Sequence, residues 1–578
     1  MMDDSQNLLS IENLTISFKN EDRINKVIKN IDLHLRRGEI TGLVGESGSG
    51  KSVTGLAIMG LLPARQVQIS GSICFSEKDK NKAVELTSLS ESGLRQLRGR
   101  KIAMIFQEPM SSLNPVLTCG YQVDEVAQTH LGYSRQQAKK QTLELFNKVA
   151  LPTPERIYDS YPHQISGGQI QRVMIAMALV CSPELIIADE PTTALDVTIQ
   201  QKILQLLADI SKDLGISILF ISHDLGVIRQ IAERIYVMYK GIICESGLTE
   251  EVLSAPKHLY TQSLIACKPP LKSKPSRLPV ISDFVHISHQ GDTYNFNEVP
   301  ANERYLINDD VTAQLDENLL EIKHLTVLYP TSKNFWGTPT DYLYAVNDVS
   351  FSVHRGETVG IVGESGCGKS TLGRTIVGLE QPYSGSMLLE DRDLIQWRSE
   401  SSKSIHKRIQ IIFQDPYSSL NPNMRIGEAI MEPMIVHNLY PGKGSRRQRM
   451  EYLLEQTGLE RDWANRYPHE FSGGQRQRIS IARALALEPD LIICDESVSA
   501  LDVSVQAQIL NLLKDLQARL GLTYIFISHD LSVVNFISHR ILVMNKGSIV
   551  EQGLADHIYN HPSEEYTQKL ISAIPVWN

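Results

Sequence analysis

Apolar residues in this chain fall into two sets of short runs that recur in the same order. Each set opens on a β-prone stretch, NLLSIENLTISF from Asn7 and NLLEIKHLTVLY from Asn318, as expected for an opening strand. Within each set, β-branched runs end in Gly, Asp or Ser-His. They are Ile40 to Val44, Leu185 to Ala188 and Ile218 to Ile221 in the first, and Thr358 to Val362, Leu491 to Cys494 and Tyr524 to Ile527 in the second. Stretches long enough for helices follow several of them, which predicts an α/β fold of parallel strands with crossover helices. Ligands in such a sheet bind beyond the carboxyl ends of the strands, where the polar motif residues fall. The apolar stretch Val173 to Cys181 is nine residues long, against the roughly 20 that a helix needs to cross a bilayer. No membrane span is expected.

Size makes the repetition an organisation into domains. At 578 residues the chain is too long for one core. The expected division is a first domain over 1–267, a connector over 268–318 and a second domain over 319–578. The connector begins KPPLKSKPSRLPV and continues polar, with five Lys or Arg against eight Asp or Glu, and reads as a surface segment. With 42% apolar and 21% charged residues and a net charge of −9, the composition is that of a soluble globular protein, and no nucleic-acid partner is expected. The opening MMDDSQN carries no basic apolar leader, so no secretory signal is expected. Seven cysteines without a C-x-x-C pair argue against disulfides or zinc and read as packing residues. Cys367 and Cys494 stand beside the second set of motifs, where oxidation would inhibit that half.

The candidate chemistry is duplicated as well. Gly45, Ser47, Gly48, Gly50, Lys51 and Ser52 stand in GESGSGKS, and Gly363, Ser365, Gly366, Gly368, Lys369 and Ser370 in GESGCGKS. Both runs fit G-x-x-x-x-G-K-[ST] between a strand and a helix. Glycines let backbone N–H groups turn toward phosphate, the helix N-terminus adds positive potential, Lys neutralises phosphate oxygens, and the Ser hydroxyl ligates Mg²⁺. A lone match also describes a flexible glycine loop; two in register point to nucleotide binding. Apolar runs end at Asp189-Glu190 and Asp495-Glu496, where the Asp can hold Mg²⁺ and the Glu can polarise an attacking water. Ser166, Asp189, Glu190, His223 and Pro256 match Ser472, Asp495, Glu496, His529 and Pro562 at an offset of 306, and Gln107 matches Gln414 at 307.

Ser166-Gly167-Gly168-Gln169 and Ser472-Gly473-Gly474-Gln475, each 23 residues before its Asp, narrow the class. Here the chain resembles the ABC ATPase family. The resemblance implies two tandem ABC-type P-loop nucleotide-binding domains, each with a RecA-like α/β core, an antiparallel β subdomain and a helical subdomain. ATP and Mg²⁺ are the implied ligands, and the tetrapeptides are signature loops for the γ-phosphate held by the opposite half. Gln107 and Gln414 resemble Q-loop glutamines that contact Mg²⁺ and water. Ala194-Leu-Asp196 and Ala500-Leu-Asp502 resemble D-loops, and His223 and His529 resemble switch histidines. The implied nucleotide-binding set extends to Val53 and Thr371, the first half departing from pattern at Val53, where Thr is usual, and again at Ile170, where the second half has Arg476. Phe18, and Tyr342 or Tyr344, are candidates for stacking on adenine or for plain strand packing. Neither departure removes a phosphate or metal ligand, so two hydrolytic sites are expected. In the implied intramolecular dimer Lys51 and Glu190 face Ser472, and Lys369 and Glu496 face Ser166.

FQEPMSSLNP from Phe106 and FQDPYSSLNP from Phe413, with the YT elements PKHLYTQSLIA and PSEEYTQKLISAIP, are similar to the oligopeptide, dipeptide and nickel importer ATPases in fused form. That implies an ATPase coupled to transmembrane transport of peptides or related small solutes. It works at the cytoplasmic face of the inner membrane with two permease subunits and an extracytoplasmic solute-binding protein. Nickel or opine import is an alternative cargo class. A tandem ABC protein acting on ribosomes is the rival class, opposed by the acidic-leaning connector. DNA-repair ABC ATPases would need zinc ligands or coiled-coil insertions that are not visible.

Overall fold

The computed structural model describes the whole chain except residues 1–6, 21–22, 79–82, 194, 271–273, 291–292, 300–316, 334–338, 500 and 575–578. It divides into two compact units, Met1–Leu195 with Ile199–Ala266 and Ile281–Arg304, and Asp196–Thr198 with Cys267–Val280 and Tyr305–Asn578.

In the first unit the strands are β1 (Asn7–Asn20), β2 (Arg23–Arg36), β3 (Ile40–Val44), β4 (Val67–Ser76), β5 (Ala83–Glu85), β6 (Ile102–Ile105), β7 (Leu185–Asp189), β8 (Ser217–Ser222), β9 (Arg234–Tyr239) and β10 (Ile242–Leu248). They make an antiparallel sheet in the order β2-β1-β4-β5 and a six-stranded sheet in the order β10-β9-β3-β8-β7-β6. The second sheet is parallel except for β10. Every residue of β3, β7 and β8 is buried. Strands covered on both faces need nearly continuous apolar side chains, and ITGLV, LIIAD and SILFIS supply them with polar residues only at Thr41, Asp189, Ser217 and Ser222. Between β6 and β7 the chain makes helices, among them Cys119–Leu131, Arg135–Lys148 and Gly167–Leu179. The core joins both sheets through Leu9, Ile11, Leu43, Ile73, Ile187 and Ile221.

An antiparallel hairpin follows, β11 (Val285–Gln290) with β12 (Thr293–Glu298), and it belongs to the first unit. Within the expected connector over 268–318, residues 285–290 and 293–298 therefore carry regular structure. VHISHQ and TYNFNE alternate apolar and polar residues at period two, which is the mark of a strand with one covered face.

The second unit repeats the plan with β13 (Asn318–Lys333), β14 (Pro339–His354), β15 (Thr358–Val362), β16 (Ser384–Leu389), β17 (Arg392–Asp393), β18 (Ile409–Ile412), β19 (Leu491–Asp495), β20 (Thr523–Ile527), β21 (Arg540–Asn545) and β22 (Ser548–Leu554). The sheet orders are β14-β13-β16-β17 and β18-β19-β20-β15-β21-β22, the same connectivity as in the first unit. Among the described residues no helix is long and apolar enough to cross a membrane.

Candidate functional site

In each unit the central parallel strand runs into the glycine loop, and the loop into a helix: β3 into Lys51–Ile58 and β15 into Lys369–Val377. Glycine at the last loop position is a steric demand. Gly50 has φ 108°, and a Cβ there would come within 2.4 Å of Ile28 Cδ1; Gly368 has φ 106°, and its Cβ would come within 2.0 Å of the Ala345 carbonyl oxygen. The loop is also held from behind, since the Gly241 N–H donates to the Ser49 carbonyl at 2.8 Å and the Gly547 N–H to the Cys367 carbonyl at 3.0 Å. Lys51 Nζ donates to the carbonyls of Gly45 (2.7 Å) and Glu46 (2.9 Å), and Lys369 Nζ to those of Gly363 (2.8 Å) and Glu364 (3.0 Å). The ammonium is thereby folded over the loop. Neither helix has a side-chain cap, so first-turn N–H groups face the loop, as anion binding requires.

The strand ends supply the acids. The Ser52 hydroxyl donates to Asp189 at 3.0 Å and Ser370 to Asp495 at 2.7 Å. Burial, and then the charge of the adjacent Glu190, push the Asp189 carboxyl up to about 6 against the Ser52 hydroxyl and Lys51; burial likewise raises Asp495. A buried carboxylate in that state accommodates a cation, and Ser, Asp and Gln oxygens are the hard donors Mg²⁺ takes alongside phosphate. Among the described residues no cluster of three His, Cys, Asp or Glu side chains could hold a metal alone.

The neighbouring glutamates are held differently. Gln107 Nε2 (3.1 Å), the Thr193 hydroxyl (2.9 Å) and His223 Nδ1 (3.1 Å) all meet one oxygen of Glu190, Oε2. In the second unit Gln414 Nε2 (3.0 Å) and His529 Nδ1 (3.5 Å) meet Oε2 of Glu496, while the Ser499 hydroxyl turns to the Glu496 carbonyl at 2.8 Å. Burial pushes Glu190 upward, but the His223 hydrogen bond and charge, Lys51 and Thr193 hold it down at about 2. Glu496 is lowered by His529 in the same way, and His529 is raised in return. Both glutamates sit at φ 47°, a left-handed conformation uncommon for this residue and often found at functional sites. Each N–H is fixed to the next strand, Glu190 to the Ile221 carbonyl at 3.0 Å and Glu496 to the Ile527 carbonyl at 2.9 Å.

Most of the residues expected at the sites thus converge within each unit. Ser166 and Ser472 do not join the carboxylates. Each caps its own helix, taking the N–H of Gln169 or Gln475 while the Gln side chain returns to the Ser N–H, a capping box. Ala194 and Ala500 of the expected D-loops lie outside the described residues. Asp224 and Asp530, next to the histidines, cap the helices that follow them. Tyr342 and Tyr344 are about half exposed on β14. Sequence reasoning passed over Tyr329, which stands in NLLEIKHLTVLY where Phe18 stands in NLLSIENLTISF; the offset between the two opening strands was the available signal. Its phenol bonds the Thr371 hydroxyl, while Phe18 and Val53 are half-buried against the first unit's core. The repeat thus exchanges a polar pair of positions for an apolar one, which accounts for the Val53 departure.

A family model described as ABC transporter matches residues 28–193 and 346–499. Another, described as oligopeptide/dipeptide transporter, C-terminal region, matches 244–293 and 550–578. The glutathione import ATP-binding proteins GsiA of Salmonella paratyphi A and of Escherichia coli K12 are each 44% identical over 99% of this chain and 90% of their own. A solved dimeric bacterial ABC transporter cassette is 30% identical, covering 41% of this chain and 99% of its own, with a TM-score of 0.37.

Proposed function

The chain belongs to the ABC transporter family as an ATP-binding, ATP-hydrolysing importer subunit, and on that premise we propose that both of its units hydrolyse MgATP to drive uptake of peptides or glutathione-like solutes. The observation that carries the reading is the duplicated convergence, at parallel strand ends, of a loop lysine, a Ser–Asp pair and a glutamate gripped by Gln and His.

Each residue's part follows from its surroundings. Lys51 and Lys369 neutralise phosphate charge from within the loop, and the loop N–H groups orient the triphosphate. Ser52 with Asp189, and Ser370 with Asp495, hold Mg²⁺, with Gln107 and Gln414 at the edge. Mg²⁺ supplies charge neutralisation on the phosphate oxygens. Donors crowded onto Oε2 fix the rotation of Glu190 and leave Oε1 to receive a water. A carboxylate held ionised in this way orients that water and accepts its proton as the bond to phosphorus develops.

Membrane permeases are the partners of such a subunit, and we infer two of them, served by an extracytoplasmic binding protein, with this chain peripheral on the cytoplasmic face. A cavity of about 340 Å³ lined by Ile411, Phe413, Ser419, Ser480 and Arg483 lies beside Gln414 and has room for a side chain or two from such a permease.

Glu190→Gln combined with Glu496→Gln tests the chemistry. ATP binding is retained while turnover falls at least about 100-fold; unchanged turnover overturns the assignment of the glutamates. Copurification with the permeases, followed by uptake assays with dipeptide, glutathione and nickel, tests the cargo.

A further inference from the structure

The YT elements and the inter-repeat hairpin have no part in the chemistry above, yet both reach the phosphate loops. Tyr260, fully buried, donates its hydroxyl to the Glu46 carboxylate at 3.3 Å. Tyr566 in the second unit accepts from the Glu364 backbone N–H at 3.1 Å. Glu46 and Glu364 are the second residues of their loops, and their carbonyls receive the loop lysines. The tyrosine of each YT element therefore touches the residue whose carbonyl receives the ammonium, Tyr260 at its side chain and Tyr566 at its N–H.

The first unit adds a layer. Tyr260 packs on Tyr239 with ring centroids 4.7 Å apart. Tyr239 in turn meets Tyr294 edge-on at 5.5 Å and Phe296 at 5.6 Å, and Phe296 also meets His258 at 4.5 Å. Tyr294 and Phe296 are the alternate residues of β12 that face the unit. A second route joins the same hairpin to the loop. Lys29 Nζ donates to the Tyr294 hydroxyl at 2.8 Å, the Lys29 N–H donates to the Gly241 carbonyl at 2.8 Å, and the Gly241 N–H holds the Ser49 carbonyl of the loop. Aromatic pairs of this geometry add to apolar burial and fix orientation.

We propose that Tyr260 and the hairpin β11–β12 are positioning elements for the first phosphate loop, making ATP affinity at that site depend on the segment that joins the repeats. The second loop is braced by Tyr566. The proposal rests on the reading of these loops as ATP sites and adds an inequality between them. Burial keeps the Tyr260 phenol far above its ordinary range, so the hydroxyl remains a donor throughout the physiological range.

The test uses the full chain and the non-hydrolysable analogue AMP-PNP with Mg²⁺. In a Lys369→Ala background, which leaves the first site to report, Tyr260→Phe raises Kd about five- to tenfold, and Tyr294→Phe raises it by a smaller factor. In a Lys51→Ala background neither substitution changes Kd by more than about twofold. With both lysines intact, Tyr260→Phe raises KM for ATP while kcat stays within about twofold. Equal weakening in both backgrounds means general loosening of the fold and overturns the proposal, as does an unchanged first-site Kd in both Phe variants. If Lys51→Ala itself leaves binding in the Lys369→Ala background intact, the underlying assignment of the loop fails, a result distinct from failure of the brace alone.

Discussion

The signature glycines show how one residue serves packing as well as chemistry. A Cβ on Gly168 would stand 2.8 Å from Ile199 Cγ2, and one on Gly474 only 2.2 Å from Val505 Cγ1, so in each unit the capped helix lies directly against the helix that follows the acidic strand. Gly168→Ala and Gly474→Ala are each expected to cost about 1–3 kcal/mol as the methyl forces the neighbour aside, with Gly474→Ala the larger loss in denaturant midpoint. Glu85 gives a pH signature away from the sites. Although burial pushes it up, the hydroxyls of Ser72 and Thr87 and the Ile73 N–H hold it at about 2, below its usual 4.5. Its contribution is therefore present above pH 4.5 and is lost as pH falls through about 2. The stability gap between wild type and Glu85→Gln should hold above pH 4.5 and close on acidification, read as unfolding midpoints across that range. That the Ser–Asp pairs, the glutamates and the histidines converge was legible, with the loop lysines, because a phosphate site of the kind proposed requires each at a fixed place along the chain. That the signature serines also cap helices was legible too, in their S-x-x-Q spacing. The contact of Tyr329 with Thr371 was not, because strand register is set by pairing partners far along the chain.

At the scale of elements, buried strands were read to within a residue or two, since Ile40–Val44 and Thr358–Val362 are apolar on both faces and nothing else accommodates them. The hairpin of residues 285–298 was missed because its apolar faces are small and aromatic and its other positions are Asn, His and Ser, a composition that mimics a loop. Upstream of it, Leu278 belongs to the second unit and is buried there, and Asn511 clamps it at both ends. The Leu278 N–H donates to Asn511 Oδ1 and Asn511 Nδ2 donates to the Leu278 carbonyl, both at 2.8 Å. Asn511→Ala leaves two buried backbone groups without partners, at about 1–3 kcal/mol. Faster amide exchange around Leu278, with the parallel sheet unchanged, is the expected readout; unaltered exchange there would falsify the clamp.

At the scale of the whole molecule, the two units share one connectivity and one set of site contacts, and they differ in detail. Thr193 serves the Glu190 carboxylate while Ser499 serves a carbonyl, Val53 replaces a hydroxyl, and among the described residues only the first unit carries the hairpin. Duplication was plain in the sequence from the motif offsets. The Val53 departure was plain there as well; the other asymmetries were not, because they arise from contacts between segments that no local pattern relates. One feature common to both units bears on how such a protein ages and evolves. Glu190 and Glu496 keep a backbone twist that glycine would adopt freely, at about 1 kcal/mol or more of conformational cost apiece. On the proposed assignment of the glutamates, a mutation to glycine at either place relaxes the chain and silences the site together. Selection for hardiness alone would therefore drift toward inert proteins, and only the demand for uptake keeps the twisted carboxylates in place.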